Sequence, residues 1–225
     1  MSRFTTQSTL VLLLAFTSII ASAEDLTNQA FGFRVKIPDT FHKIATAPSE
    51  PDTLYKSVDR VPNQSDPPTA IQIQRLRGTI SPHQRLKLDE MPKIAGLSTT
   101  LEEITWSALR LDVTRQVMPL PDQTRYVAYG IQFPLSDEAV QLHVGGPIAK
   151  DEEVRVLFKE VVASFRNTKP LAGGASAPVG RLLTKEERIS RLLSGIARMA
   201  ITLVVLASIV IAILRSRRKK FAPKI

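Results

Sequence analysis

The feature that most constrains this chain is an apolar run over residues 195–214, which reads GIARMAITLVVLASIVIAIL. A helix rises about 1.5 Å per residue, so twenty such residues span roughly 30 Å, the thickness of a bilayer's hydrocarbon core. Five basic residues follow closely, with no acidic residue among them: Arg215, Arg217, Arg218, Lys219 and Lys220. Because such clusters stay on the cytoplasmic side of a membrane, the sequence predicts one transmembrane helix and a basic cytoplasmic tail over 215–225.

The N-terminal end predicts a cleaved secretory signal peptide over residues 1–23. Arg3 supplies a basic start, residues 10–20 form an apolar core, and residues 21–23 have the small side chains of a cleavage site. The apolar core is too short to cross a bilayer, although an uncleaved N-terminal anchor is the alternative interpretation. Either way we expect the middle of the chain to lie outside the cytoplasm, as in a single-pass type I membrane protein.

The distribution of charge excludes a nucleic-acid-binding domain. The formal net charge is +9, but residues 24–169 contain 18 Lys/Arg and 19 Asp/Glu, while residues 170–225 contain 11 Lys/Arg and 2 Asp/Glu. The excess of positive charge therefore belongs to the predicted membrane segment and its flanks, where it suits anionic lipid headgroups. A polynucleotide site needs a basic patch on the folded domain itself.

The chain contains no cysteine. Disulfides, thiolate catalysis and thiolate metal sites are thereby excluded. The exported domain over residues 24–169 has the commonest size for one domain, so we expect a single hydrophobic core to stabilise it.

Alternating apolar and polar residues predict an antiparallel sheet. The pattern is clear at 31–38 and 69–80 and weaker at 53–60, and strand follows strand from 99 to 146 with short turns between them. Trp106 fits a core position better than a contact anchor. The predicted fold class is α+β, an antiparallel sheet packed with helices in an α/β/α arrangement, plus the C-terminal transmembrane helix.

Three helices accompany the predicted sheet. Ser81-Pro82 resembles a helix start and predicts a helix to about Met91. Residues 151–166 form an amphipathic helix, with an apolar stripe that should pack across the sheet. A linker containing Gly, Ala and Pro is expected over 170–183, and Thr184 with Glu187 forms a capping box that begins a helix over 184–214, through the span.

A second, polar face of the sheet is the candidate binding surface. The polar residues that alternate with the apolar ones in each strand point to this face. Antiparallel sheets often leave one face in water, so this face either is solvated or binds a partner. Its residues are Gln72, Gln74, Arg110, Asp112, Thr114, Gln132, Gln141 and His143.

No catalytic motif, metal site or cofactor site is predicted. His42, His83 and His143 are isolated from one another and fit ordinary, partly exposed histidines, and the chain has neither a nucleophile elbow nor a phosphate-binding loop. Two alternatives to a binding role remain open. One is a hydrolase whose site joins distant residues, such as His143 with Asp112, and the other is a lipid- or small-ligand-binding domain with an apolar cavity between helix and sheet.

Two segments resemble the PsbP-like/Mog-type α/β/α fold. The run FGFRVKIPDTF at 31–41 is similar to its opening strand, and residues 125–166 are similar to its closing hairpin and helix. Members of that fold are non-catalytic binding proteins, the plant proteins being lumenal subunits of photosystem II and the Mog-type proteins binding a small GTPase. The resemblance implies an accessory binding module and no site residue, and the C-terminal anchor departs from both groups. We therefore expect a membrane-anchored, non-enzymatic binding or assembly module whose partners are the bilayer and another membrane or extracytoplasmic protein.

Overall fold

The structure is a computed structural model that describes residues 24–59, 67–81, 84–120, 124–136, 138–169 and 181–201. Every structural statement below concerns these residues. The predicted signal peptide, residues 202–214 of the predicted span, the basic tail, His83 and most of the predicted linker lie outside them.

The described strands form two antiparallel sheets. In chain order they are β1 (Glu24–Asn28), β2 (Phe33–Ile37), β3 (Phe41–Lys43), β4 (Thr53–Asp59), β5 (Ala70–Leu76), β6 (Ser98–Trp106), β7 (Leu109–Pro119), β8 (Arg125–Pro134), β9 (Ala139–Pro147) and β10 (Arg166–Asn167). The main sheet has the order β3-β4-β5-β9-β8-β7-β6, and the small sheet has the order β1-β2-β10. The predicted antiparallel run from β6 to β9 is confirmed, since their short connections make consecutive strands neighbours.

The small sheet was only half predicted. The alternation of Phe33, Val35 and Ile37 correctly identifies β2, whose apolar side chains are all buried. β1 carries no such alternation, and it forms because its backbone pairs with β2 over five residue pairs, from Glu24 with Ile37 to Asn28 with Phe33.

Helix α1 (Asp151–Ser164) covers one face of the main sheet. The predicted stripe is confirmed, because Val154, Phe158 and Val161 are buried in the largest hydrophobic cluster. Trp106 is a core residue there, as predicted. The rings of Phe133 and Phe165 stack in that cluster with centroids 4.0 Å apart, so this face is closed by tight apolar and aromatic packing.

Helix α2 occupies residues 185–201 and covers the opposite face. The predicted capping box is confirmed, because Glu187 N–H donates to Thr184 Oγ1 at 3.2 Å and Thr184 N–H donates to Glu187 Oε2 at 3.0 Å. Leu192, Ile196 and Met199 then pack on apolar side chains of the sheet, which include Val58, Ala70, Tyr126 and Ala128. The sheet therefore lies between two helices, in the predicted α/β/α arrangement.

Residues 181–183, which precede the Thr184 cap of α2, are fixed to the domain. Thr79 N–H donates to the Arg181 carbonyl and Leu183 N–H donates to the Thr79 carbonyl, both at 2.9 Å. Leu183 is buried with Leu76 and Ile80. α2 thus starts from a point that is held on the sheet. No helix within the described ranges is both long and apolar enough to cross a membrane.

The predicted helix from Ser81 to Met91 is wrong for the described residues. A short 3-10 turn at Leu88–Glu90 is the helical structure found there. Two backbone groups before it bond to distant residues instead of to the next helical turn. Leu86 N–H donates to Asp112 Oδ2 at 2.7 Å, and the Gln84 carbonyl accepts a hydrogen bond from Arg188.

Candidate functional site: a polar layer beneath helix α2

The polar layer consists of two cross-strand rows of side chains on the α2 face of the main sheet. Antiparallel pairing places one residue of each strand directly beside one of the next, so residues of equal phase form rows. One row is Lys56, Gln72, His143, Gly130 and Thr114. The neighbouring row contains Gln74, Gln141 and Gln132.

The structure brings most of the predicted polar face together but does not leave it open. Seven of the eight predicted residues are buried: Gln72, Gln74, Asp112, Thr114, Gln132, Gln141 and His143. Arg110 is separate, with 76% of its side chain exposed at the end of β7. The solvated face that the sequence allowed is therefore wrong for these seven residues. Helix α2 contacts four of them, namely Gln74, Gln132, Gln141 and His143.

Two glutamines of the layer bind the main chain of α2. Gln132 Nε2 donates to the Arg188 carbonyl at 3.0 Å and to Gln141 Oε1 at 2.9 Å. Gln141 Nε2 donates to the Arg191 carbonyl at 3.1 Å. These bonds attach consecutive turns of α2 to β8 and β9, so side-chain amides of the sheet fix the position of the helix.

His143 is fully buried, which corrects the expectation of a partly exposed histidine. Burial lowers the pKa of its ring to about 3, so the ring is neutral near pH 7. Its Nε2 contacts Gln141 Nε2. Because that amide nitrogen only donates, Nε2 accepts and the ring proton lies on Nδ1.

Gly195 is the closest approach of α2 to the polar layer. A Cβ atom at this position would lie 2.4 Å from His143 Nε2, 2.5 Å from Gln141 Nε2 and 2.8 Å from Gln74 Oε1. Real Cβ atoms do not approach other atoms so closely. The helix therefore needs glycine here to lie directly on the sheet.

Three polar atoms of the layer are buried without a hydrogen-bond partner among the described residues. They are Gln72 Oε1, Gln74 Nε2 and His143 Nδ1. Each loses its hydration when α2 covers the sheet, and a buried polar group without a partner costs about 1–3 kcal/mol. The docked arrangement thus satisfies some of the polar layer and leaves part of it unsatisfied.

A buried cation lies at the first turn of α2. Arg188 donates from Nε to Gln132 Oε1 at 3.0 Å, and burial lowers the pKa of its guanidinium while nearby Asp112 raises it. Asp112 itself accepts from Arg85 Nε at 2.8 Å, and Arg85 also pairs with Glu103 at 2.8 Å. Asp112 is thus held by Arg85 and by the Leu86 amide, and it serves to fix the segment before β6.

Other charged clusters of the described residues also fix structure. Arg115 and Tyr129 both bond Asp151 at the N-terminus of α1, the tyrosine at 2.7 Å. Burial would raise the pKa of Asp151, but these hydrogen bonds bring it below its usual value. No group of three or more His, Cys, Asp or Glu side chains within the described ranges is arranged to hold a metal ion.

Two open grooves lie on the surface of the described domain. One, of about 450 Å³, runs along the outer side of α2 past Ile189, Leu193 and the Lys185–Glu90 ion pair. The other, of about 230 Å³, lies between α1 and β4 and includes Asp59, whose pKa is raised by burial. Both are shallow, and neither contains a residue of the polar layer.

Four residues at this site are not identified by the sequence. Lys56 belongs to the layer, Arg188 and Gly195 contact it, and Arg85 holds the neighbouring Asp112. A signal for α2 was present, since Arg188, Leu192, Gly195 and Met199 recur at helical spacing after the capping box. The sequence instead predicts that these residues belong to a juxtamembrane and transmembrane helix over 184–214, because a long apolar run begins at Gly195.

No protein-family model and no curated protein matches the sequence. Solved structures do resemble it. LpqN of Mycobacterium tuberculosis, a protein involved in cell envelope biogenesis, is 12% identical with a TM-score of 0.46, over 66% of this chain and 91% of LpqN. The cyanobacterial PsbP protein of Synechocystis sp. PCC 6803 is 11% identical with a TM-score of 0.43, over 67% of this chain and 95% of that protein.

One of the solved structures that resemble this chain is thus a PsbP protein, and the sequence itself resembles the PsbP-like fold. These similarities assign no ligand, partner or activity to this chain.

Proposed function

We propose that this chain is a non-enzymatic extracytoplasmic binding or assembly module, exported by a cleaved signal peptide and held at the membrane by a C-terminal anchor. The observation that carries the proposal is the continuity of α2 with the predicted span. α2 starts at the capping box of Thr184, packs on the sheet, and reaches Ile201 without a break. In the sequence, TLVVLASIVIAIL follows directly over 202–214.

This continuity supports a tether that is part of the domain. The same helix that bonds Gln132 and Gln141 of the sheet runs into the predicted span. A module attached in this way is presented to its neighbours from the membrane surface. The balanced charge of residues 24–169 suits contact with a protein better than contact with nucleic acid.

The hydrolase alternative needs His143 and Asp112 to converge in a cleft. His143 instead faces Gln141 and Gly195 of α2, while Asp112 bonds Arg85 and the Leu86 amide. The ring of His143 is buried and neutral, and its Nε2 is occupied. These contacts favour a structural role for both residues.

The lipid-binding alternative needs an apolar cavity between α1 and the sheet. That space is filled by the packed rings of Trp106, Phe133 and Phe165, with centroids 4.0 to 5.9 Å apart. The aromatic packing therefore favours a closed core over a ligand cavity.

Crosslinking in native membranes followed by affinity recovery tests the proposal. The full-length chain is compared with Val204→Lys/Ile209→Lys, since two charges in the middle of the apolar run oppose insertion. We expect the parent chain to resist alkaline extraction and to recover one reproducible protein partner, and the variant to be extracted. Alkaline extraction of the parent chain, or substrate turnover by it without any partner, would contradict the proposal.

A further inference from the structure

Residues 195–201 belong to two arrangements at once. In the structure they form the end of α2, where Gly195, Ile196, Met199 and Ala200 are buried against the main sheet. In the sequence the same seven residues are the first two turns of the predicted membrane span.

The span needs these residues. Without them the apolar run is reduced to the thirteen residues 202–214, which rise about 20 Å as a helix, short of the roughly 30 Å hydrocarbon core. The run cannot lengthen in the other direction, because Arg215 and the four basic residues closely following it come next.

The sheet cannot accompany these residues into the membrane. Met199 lies beside Tyr126, since a Cβ on Gly145 would meet Met199 Cε at 2.7 Å and Tyr126 Cε1 at 2.6 Å. Tyr126 adjoins the exposed Arg125, and the carboxylate of Asp59 is near enough to add to the effect of burial in raising the pKa of Tyr126. A bilayer that held docked Met199 would have to take in these charges, which is costly.

Lipid and water can replace the contacts that α2 makes with the sheet. The side chains of Ile196 and Met199 are shielded from water equally well by the sheet or by lipid. Gln72 Oε1, Gln74 Nε2 and His143 Nδ1 have no partner under the docked helix among the described residues, and they would gain hydration when it leaves. Insertion thus shields the helix side chains and hydrates these polar atoms, while it exposes Val58, Ala70, Tyr126 and Ala128 of the sheet until a partner covers them again.

We propose that residues 195–201 pass between the sheet and the bilayer, and that their insertion lifts all of the continuous helix α2 off the sheet, with the Arg188 and Arg191 carbonyls that Gln132 and Gln141 bind. The polar layer is then uncovered as the module's binding surface for a partner helix. This inference rests on the proposed membrane anchor. It gives the exported module two forms, a covered one away from the bilayer and an open one in it.

The chemistry of the partner follows from what the layer binds in α2. Gln132 and Gln141 donate to main-chain carbonyls, and the space above His143 admits a residue without a side chain. Val58, Ala70 and Ala128 accept apolar side chains beside it. A matching partner is an extracytoplasmic helix with glycine at the closest approach and an apolar stripe around it.

Labelling of single cysteines tests the two forms, since the parent chain has no cysteine. Ala128→Cys reports on the α2 face and Val113→Cys on the α1 face, both residues being buried. Each is introduced into the full-length chain in nanodiscs of phosphatidylcholine and phosphatidylglycerol, and into Val204→Lys/Ile209→Lys in detergent-free buffer. Reaction with a fluorescent maleimide is followed over time.

We expect Ala128→Cys to react at least tenfold faster in nanodiscs than in the Lys variant, and Val113→Cys to stay slow in both. Slow reaction of Ala128→Cys in chains that are incorporated in nanodiscs overturns the inference but leaves the anchor standing. Chains that do not incorporate at all contradict the anchor instead. Fast reaction of both cysteines means general unfolding and also counts against the inference.

A synthetic peptide with the sequence of residues 184–201 tests the recognition of a helix. We expect it to bind the nanodisc form at least tenfold more tightly than the Lys variant, whose own α2 occupies the surface. The matched control is the same peptide with Gly195→Leu, whose side chain would collide with His143 and should abolish the preference. Equal binding of the two peptides would overturn the assigned surface.

Discussion

Helix α1 lies on a face made of apolar and aromatic side chains, whereas α2 lies on a face where Gln, Thr and His stand beside Val and Ala. The first face joins α1 to the sheet through stacked rings such as Phe133 and Phe165. The second joins α2 through glutamine side chains and a bare glycine, and it leaves polar atoms unpaired within the described residues.

One sheet can thus hold a tightly packed helix on one face and a more easily separated helix on the other. Separating α1 from the sheet costs much free energy, because the stacked rings become exposed to water and lose their packing contacts. A mixed layer lowers the cost of separating α2, since water can replace its hydrogen bonds.

Phe133→Ala should show how strongly the α1 face is packed. Removing a ring that stacks on Phe165 and meets Trp106 edge-on leaves a cavity, and such changes cost about 3–5 kcal/mol. Urea unfolding followed by tryptophan fluorescence measures the loss. A decrease in the free energy of unfolding below about 1 kcal/mol would mean that this face is loosely packed.

Acid should weaken the α2 face through His143. The folded pKa of about 3 lies below the ordinary value of 6.5, so the unfolded or uncovered ring binds a proton that the covered ring does not. Stability is therefore lost as pH falls below about 6.5, by about 2 kcal/mol between pH 7 and pH 5. Urea unfolding at both pH values measures it. His143→Gln is the control, and an unchanged pH dependence in that variant would refute the assignment.

Gly195→Ala should loosen α2 selectively. The new methyl group would collide with His143 and Gln141, and overpacking of this kind costs about 1–3 kcal/mol, offset in part by the roughly 1 kcal/mol gain in helix propensity. Amide hydrogen exchange should accelerate in α2 and remain unchanged in α1. Ala197→Leu, on the exposed side of the same helix, should leave both helices unchanged. Equal acceleration in α1 would remove the contrast between the two faces.

Thr184→Ala should have the smallest effect, confined to the start of α2. Its hydroxyl accepts from the Glu187 amide, and the loss of such a cap costs about 1 kcal/mol. Hydrogen exchange at the first turn of the helix measures it. Ser190→Ala, an exposed serine within α2, is the matched control. If both variants behave alike, the cap does not stabilise the docked helix.

Side-chain alternation predicted the main sheet well, because residues such as Leu111, Val113, Ile131 and Leu142 must face a core to be buried. Capping chemistry likewise placed the start of α2 at Thr184. Both signals are local, so they can be recognised in the sequence without the tertiary structure. β1 was missed because it pairs with β2 through backbone hydrogen bonds, which leave no side-chain pattern. The segment around Leu86 was missed because its partner, Asp112, is distant in the sequence.

Strand phase correctly groups most of the polar layer, but it includes the separate Arg110, omits Lys56 and does not predict that a helix covers the layer. Glutamine and histidine on one phase of a strand look the same whether water or a polar helix contact covers them. Arg188 and Gly195 were missed for a related reason. In the sequence, an arginine before an apolar run and a glycine at its start are typical of the flank of a membrane span. The covering of the polar layer depends on the docking of α2, which no local pattern encodes.

Titration of the His143 ring by NMR tests most directly whether α2 covers the polar layer. The spectrum of the full-length Val204→Lys/Ile209→Lys variant is recorded between pH 8 and pH 5, and His143→Gln in the same background assigns the resonance. A covered layer predicts a ring signal that does not titrate over this range, because the pKa of His143 is about 3. Titration of that signal near 6.5 would show an open face and would contradict the account.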